Sequence, residues 1–174
     1  MADGILKVGQ ITNSAGSGNI TIGSGVTVNV NRPSFMGYNS SAYQTVTDAA
    51  ATKITIDTEE FDTDSAFDTS TSKFTIPANQ AGKYLIFGQF YTYSSNDTGR
   101  LSQISLYKNG SETANTINIT RLTQNDIVGA AVYTSYIYNA SVSDYFELYG
   151  LFNVDSGTDN RIYYANFGGY KLGA

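Results

Sequence analysis

The sequence predicts an all-β fold: a two-sheet antiparallel sandwich preceded by an extended N-terminal β arm. Three observations predict it. Apolar residues alternate with a period of two through most of the chain, the mark of strands with one buried face. Clusters of Gly, Asn, Asp and Ser interrupt these runs at short intervals, as turns between short strands do. Helical spacing is absent except for a weak trace from Ser41 to Ala51, which reads as loop. At 174 residues, with 41% hydrophobic and 13% aromatic residues, the chain has material for one packed core plus an appendage.

The arm comes first and spans residues 1–32. Its sequence KVGQITNSAGSGNITIGSGVTVNVN is rich in Gly, Ser and Asn, yet Ile20, Ile22, Val26, Val28 and Val30 share one parity. Gly23-Ser24-Gly25 divides it into two short strands. A hairpin this small is marginal alone in water, so its apolar face calls for a partner: the same segment of other subunits, or the surface of a larger particle. These five residues are the candidates for attachment.

From Pro33 to Ala174 the chain reads as a head domain. Strands are expected at Ser34–Tyr38, Thr52–Phe61, Lys73–Ile76, Lys83–Tyr93, Leu101–Lys108, Ala114–Arg121, Asp126–Asn139, Tyr145–Val154 and Asn160–Leu172. Two of them are apolar on both faces. In Lys83–Tyr93, Tyr84, Ile86 and Phe90 face one way while Leu85, Phe87, Tyr91 and Tyr93 face the other. In Tyr145–Val154, Phe146, Leu148, Phe152 and Val154 oppose Tyr145, Tyr149 and Leu151. A strand in a sheet with one wet face alternates, and one that does not is covered on both sides. Phe87, Tyr91, Tyr93, Tyr149 and Leu151 are therefore the candidates for an oligomer interface, against the alternative of an ordinary core with surface tyrosines.

Composition narrows the chemistry. The chain contains no His and no Cys, which removes the usual base poised near neutral pH, His-assisted serine nucleophiles, thiol catalysis and soft-metal sites. Neither catalytic nor cofactor-binding residues are assigned. Hard oxygen ligands suit calcium, and Asp62, Asp64 and Asp68 can be drawn into one loop; alternating Asp, Thr and Ser equally read as solvated turn positions. A net charge of -5 argues against a nucleic-acid partner. No apolar stretch is long enough for a membrane span, and MADGILKVGQ lacks the basic region and apolar run of a signal peptide, so synthesis and retention in a cytoplasm are expected.

The stretch FDTSTSKFTIPANQAGKYLIF carries a resemblance. Phe67-Asp68, Lys73-Phe74-Thr75-Ile76-Pro77 and Gly82-Lys83-Tyr84 resemble the signature of the complement 1q globular head and tumour-necrosis-factor-like superfamily. Two residues are extra between Phe74 and Gly82, and Ile86 stands where an aromatic is usual. SDYFELYG, from Ser143 to Gly150, is similar to the family's Gly-Asp-x-hydrophobic-Glu-Leu strand, and FGGYKL, from Phe167 to Leu172, to its closing strand. The resemblance covers about Thr52 to Ala174. It implies a ten-strand jelly roll that forms homotrimers around aromatic strands.

LKVGQIT followed by GSGNITIGSG also looks like the arm of virion proteins of tailed phages. Together the likenesses imply a non-enzymatic structural protein on a virion surface, a capsid decoration, cement or head-fibre trimer whose partners are its own copies and the major capsid protein. The alternative is a tail-fibre tip or another module that recognises a host glycan or protein. A secreted signalling module of the complement type is disfavoured by the missing signal sequence.

Overall fold

The structure is a computed structural model. It describes residues 32–95, 98–122, 128–155 and 159–173. The arm residues Ile20, Ile22, Val26, Val28 and Val30 lie outside the described residues.

The head is built from strands β1 (Ser34–Tyr38), β2 (Gln44–Thr45), β3 (Thr52–Lys53), β4 (Thr58–Asp62), β5 (Phe67–Asp68), β6 (Lys73–Thr75) and β7 (Gly82–Tyr93). They are followed by β8 (Gly99–Lys108), β9 (Ser111–Glu112), a 3-10 turn (Ala114–Thr116), β10 (Asn118–Arg121), β11 (Ala131–Ala140), β12 (Tyr145–Val154) and β13 (Arg161–Gly173). One sheet, of six strands, runs β11-β7-β13-β1-β4, with β2 on β13; the other, of seven, runs β10-β8-β12-β6-β5, with β3 on β12 and β9 on β8. All pairings are antiparallel. The described residues form a two-sheet antiparallel β sandwich, as the alternation predicts, and it is of the jelly-roll type that the resemblance implies, with thirteen strands rather than ten.

The inner faces of the two sheets meet in one apolar core. Phe35 stacks on Phe74 at 4.2 Å and on Phe67 at 5.0 Å, and Phe167 meets Phe35 edge-on at 5.0 Å. Tyr84, Ile86 and Phe90 of β7 face Phe146, Leu148 and Phe152 of β12 across it, all buried. Close packing also dictates a missing side chain: a Cβ on Gly150 would lie 2.6 Å from the Phe90 ring and 2.9 Å from Ile162.

Three expectations change. The single strand expected over Thr52–Phe61 is two, because the chain changes sheets there. β3 pairs with β12 and β4 pairs with β1. In the crossing, Ile54 and Ile56 enter the core while side chains take over the hydrogen bonding: Thr55 N–H donates to Gln44 Oε1 (2.9 Å) and Ile56 N–H to Ser72 Oγ (2.9 Å). The strand expected from Ala114 begins as a 3-10 turn, closed by Thr116, whose hydroxyl donates to Thr113 O at 2.7 Å. The loop expected over Ser41–Ala51 contains β2.

Candidate functional site

The five interface candidates do not form one patch. Phe87, Tyr91 and Tyr93 lie on β7 in the six-stranded sheet, whereas Tyr149 and Leu151 lie on β12 in the seven-stranded sheet. Because each strand turns its other face to the shared core, their outward faces point to opposite sides of the sandwich. The candidates therefore fall on two separate aromatic faces, both only half-buried in the isolated head.

The outer face of the six-stranded sheet carries more of the exposed large apolar side chains. Register places Ile137 opposite Leu85, which in turn opposes Tyr170. In the next row Phe87 opposes Gly168, which opposes Met36, and Met36 opposes Phe61. Gly168 contributes no side chain, and Met36 Sδ and the Phe87 ring close over it, within 2.7 Å of where a Cβ would stand. Further along, Tyr133 opposes Gln89, and Tyr163 opposes Tyr91. Tyr133, Ile137, Tyr164 and Phe61 are 69%, 54%, 77% and 49% exposed, a concentration of apolar surface that water does not favour.

Within this face lies a cleft of about 210 Å³ walled by Tyr91, Tyr93, Tyr163 and Tyr164. Tyr91 and Tyr93 stack with centroids 6.4 Å apart, Tyr93 meets Tyr163 edge-on at 5.9 Å, and Tyr163 and Tyr164 are tilted at 5.9 Å. A second hollow of about 270 Å³ lies on the other side of Tyr164, lined by Gln89, Tyr91, Ala131 and Tyr133 among others. At the rim, Arg161 is held by Asp159 at 2.6 Å and lies 4.4 Å over the Tyr43 ring. Hydrogen bonds from Ser95 hold the Asp159 carboxyl below its ordinary range.

The outer face of the seven-stranded sheet is built differently. Tyr107 and Tyr149 stack face to face at 3.7 Å, and Lys73 sits 4.4 Å over the Tyr145 ring. Between them Glu147, 4% exposed, receives Lys53 at 3.2 Å and Lys73 at 3.8 Å. Burial, with Glu147 nearby, pushes the Tyr149 hydroxyl pKa up. Here the aromatic surface is satisfied largely within the chain.

Asp62, Asp64 and Asp68 do not converge. Asp62 accepts the Asp64 and Phe67 N–H groups at 3.1 and 2.6 Å, and Asp64 accepts the Thr63 hydroxyl at 2.9 Å. Asp68 accepts the Ser70 hydroxyl and the Thr71 hydroxyl at 2.7 Å each, which pulls its pKa down to about 2. Among the described residues no group of three or more acidic side chains is gathered to hold a metal. Of the two readings of this segment the turn one describes it: the carboxylates accept from backbone N–H groups and hydroxyls.

Tyr133, Ile137, Tyr163, Tyr164 and Tyr170 were not among the sequence candidates. Alternation within Tyr133-Thr-Ser135-Tyr-Ile137 was the available signal for β11. Tyr164 had none, because a bulge breaks the alternation at that point.

Among solved structures, the globular domain of a zebrafish complement 1qA protein matches with a TM-score of 0.55 and 14% identity, over 81% of this chain and 98% of that one. That likeness establishes the fold: a jelly-roll sandwich of the complement 1q and tumour-necrosis-factor-like type. No protein-family model and no curated protein matches the chain.

Proposed function

We propose that the protein is a non-enzymatic homotrimeric component of a virion surface, of the capsid decoration, cement or head-fibre kind found in tailed phages. One observation carries this reading: the outward face of the β11-β7-β13-β1-β4 sheet is aromatic and uncovered in the single head. Its most exposed apolar side chains present on the order of 600 Å², taking 150 to 250 Å² for a whole aromatic ring. That approaches the roughly 800 Å² each partner buries in a stable interface. At ~25 cal/mol per Å² it amounts to on the order of 15 kcal/mol before the cost of association, enough to favour assembly.

Closing a three-fold ring needs two different surfaces on each subunit. The edge strand β11, with Tyr133 and Ile137 exposed, supplies one; the Phe87–Met36–Phe61 row on the same sheet supplies the other. The end of the head from which the chain runs back toward residue 31 is fixed, since Arg32 donates to Leu172 O at 2.9 Å. That end serves attachment to capsid subunits, and the protein then acts by adding buried surface between them.

The test is to locate the chain in purified particles by electron microscopy, together with its mass in solution by light scattering. Three-fold density on the capsid and a trimer mass are expected. A free monomer absent from particles would refute the proposal, and density at a fibre tip would favour host recognition instead.

A further inference from the structure

Two adjacent residues of a regular strand point to opposite faces, yet Tyr163 and Tyr164 of β13 wall the same outward cleft. The cause is a β-bulge. Between Tyr163, opposite Tyr91, and Asn166, opposite Gln89, β13 holds two residues where β7 holds one. Tyr164 takes a left-handed backbone with φ of 54°, a conformation that bulky residues adopt only under strain. The result is the most exposed large apolar side chain of the described residues, 77% accessible and standing as a ridge between the hollows of about 210 and 270 Å³. In an isolated head the strain and the exposure are both unfavourable, and among the described residues the tilted contact with the Tyr163 ring covers little of Tyr164.

We propose that Tyr164 is the anchor of self-association, presented by the bulge so that a second copy of this chain covers it. This rests on the self-association reading above and adds to it which residue dominates the contact. The occupant is a second copy because both hollows beside Tyr164 are lined without a single charged side chain. A chain of net charge -5 approaches its own copy against repulsion, and hollows with a neutral lining permit it, since the Arg161 and Asp159 charges at the rim are already paired with each other at 2.6 Å. Aromatic residues at the centre of such a contact carry a disproportionate share of the affinity.

The experiment uses the full chain. Tyr164→Asn keeps a residue that tolerates the left-handed backbone and removes the ring. Sedimentation equilibrium is expected to show dissociation at about a hundredfold higher concentration than for the unsubstituted chain, with β-sheet circular dichroism retained. If Tyr164→Asn assembles as tightly as the unsubstituted chain, the anchor role is overturned and self-association stands. If the unsubstituted chain is a monomer at every concentration, both fall. Because the chain contains no Trp, Tyr164→Trp supplies a single fluorescent reporter that serves even where the Asn variant fails to fold. Emission of a buried indole at assembling concentrations, shifting to that of an exposed indole on dilution, is expected; exposed-type emission in the assembled form overturns the proposal.

Discussion

Carboxylates on this protein's surface work as turn fasteners, and their titration follows from that. Asp68 is held at a pKa of about 2 by the Ser70 and Thr71 hydroxyls, below its ordinary value of 3.8. A folded-state pKa lowered in this way contributes stability that is present above about pH 4 and is lost as pH falls through 2. Ser40 lowers Asp57, and hydrogen bonds from Lys108 and Asn109 outweigh burial to lower Asp144, so both add in the same direction. The melting temperature is therefore expected to fall between pH 4 and pH 2, with a shallower slope in Asp68→Asn; a parallel curve for that variant would show that Asp68 is not part of the acid response. Glu147 is a different case, nearly excluded from solvent and met by two lysines that are each about one-third exposed. Glu147→Gln removes the charge and keeps the shape. A loss of about 1 to 2 kcal/mol in urea unfolding is expected, since the lysines left behind can still reach water.

At the scale of elements, alternation located strands well wherever the ladder itself supplied the hydrogen bonds. Tyr145–Val154 was placed to the residue and Lys83–Tyr93 to within one, because their inward aromatics and their turns agree on the same boundaries. Failure came where side chains replace the ladder. Ile54 and Ile56 have the parity of a strand, but their segment crosses between sheets, and only the fold reveals that Gln44 and Ser72 hold it. Ser72 itself sits at φ of 53°, and its hydroxyl both accepts the Ile56 N–H (2.9 Å) and donates to the Ile56 carbonyl (3.3 Å). Ser72→Ala strands both buried backbone groups, and a loss of about 2 kcal/mol in chemical unfolding is expected. A loss below a few tenths would mean that water replaces the hydroxyl. Tyr164 belongs to the same class of illegible feature: bulges carry no period, so a residue that leaves the pattern is invisible until its register is known.

For the whole molecule, the proposed self-association has two aromatic faces to choose between, and the sequence does not distinguish them because it gives parity but not which strands share a sheet. Phe87 and Tyr149 looked equivalent in the chain. They differ in surroundings: the Tyr149 ring is stacked on Tyr107 beside a charged cluster, while Phe87 lies on a neutral face continuous with Tyr133. Desolvating Lys53, Lys73 and Glu147 under a partner would be unfavourable, whereas covering Phe87 and Tyr133 removes only apolar and neutral polar surface. Tyr133→Lys is therefore expected to abolish self-association, and Leu151→Lys on the opposite face to leave it intact, both read by light scattering. The same neutrality fixes the response to salt. Ion-paired interfaces weaken as screening shortens the Debye length from about 30 Å at 0.01 M to 3 Å at 1 M, but a contact with a neutral lining, whose rim charges Arg161 and Asp159 are paired within the chain, has little to screen, and removing the repulsion between chains of net charge -5 makes it tighter. Association is thus expected to hold or strengthen between 0.01 and 1 M salt, and a trimer that dissociates at high salt would place the contact on the lysine-bearing face instead.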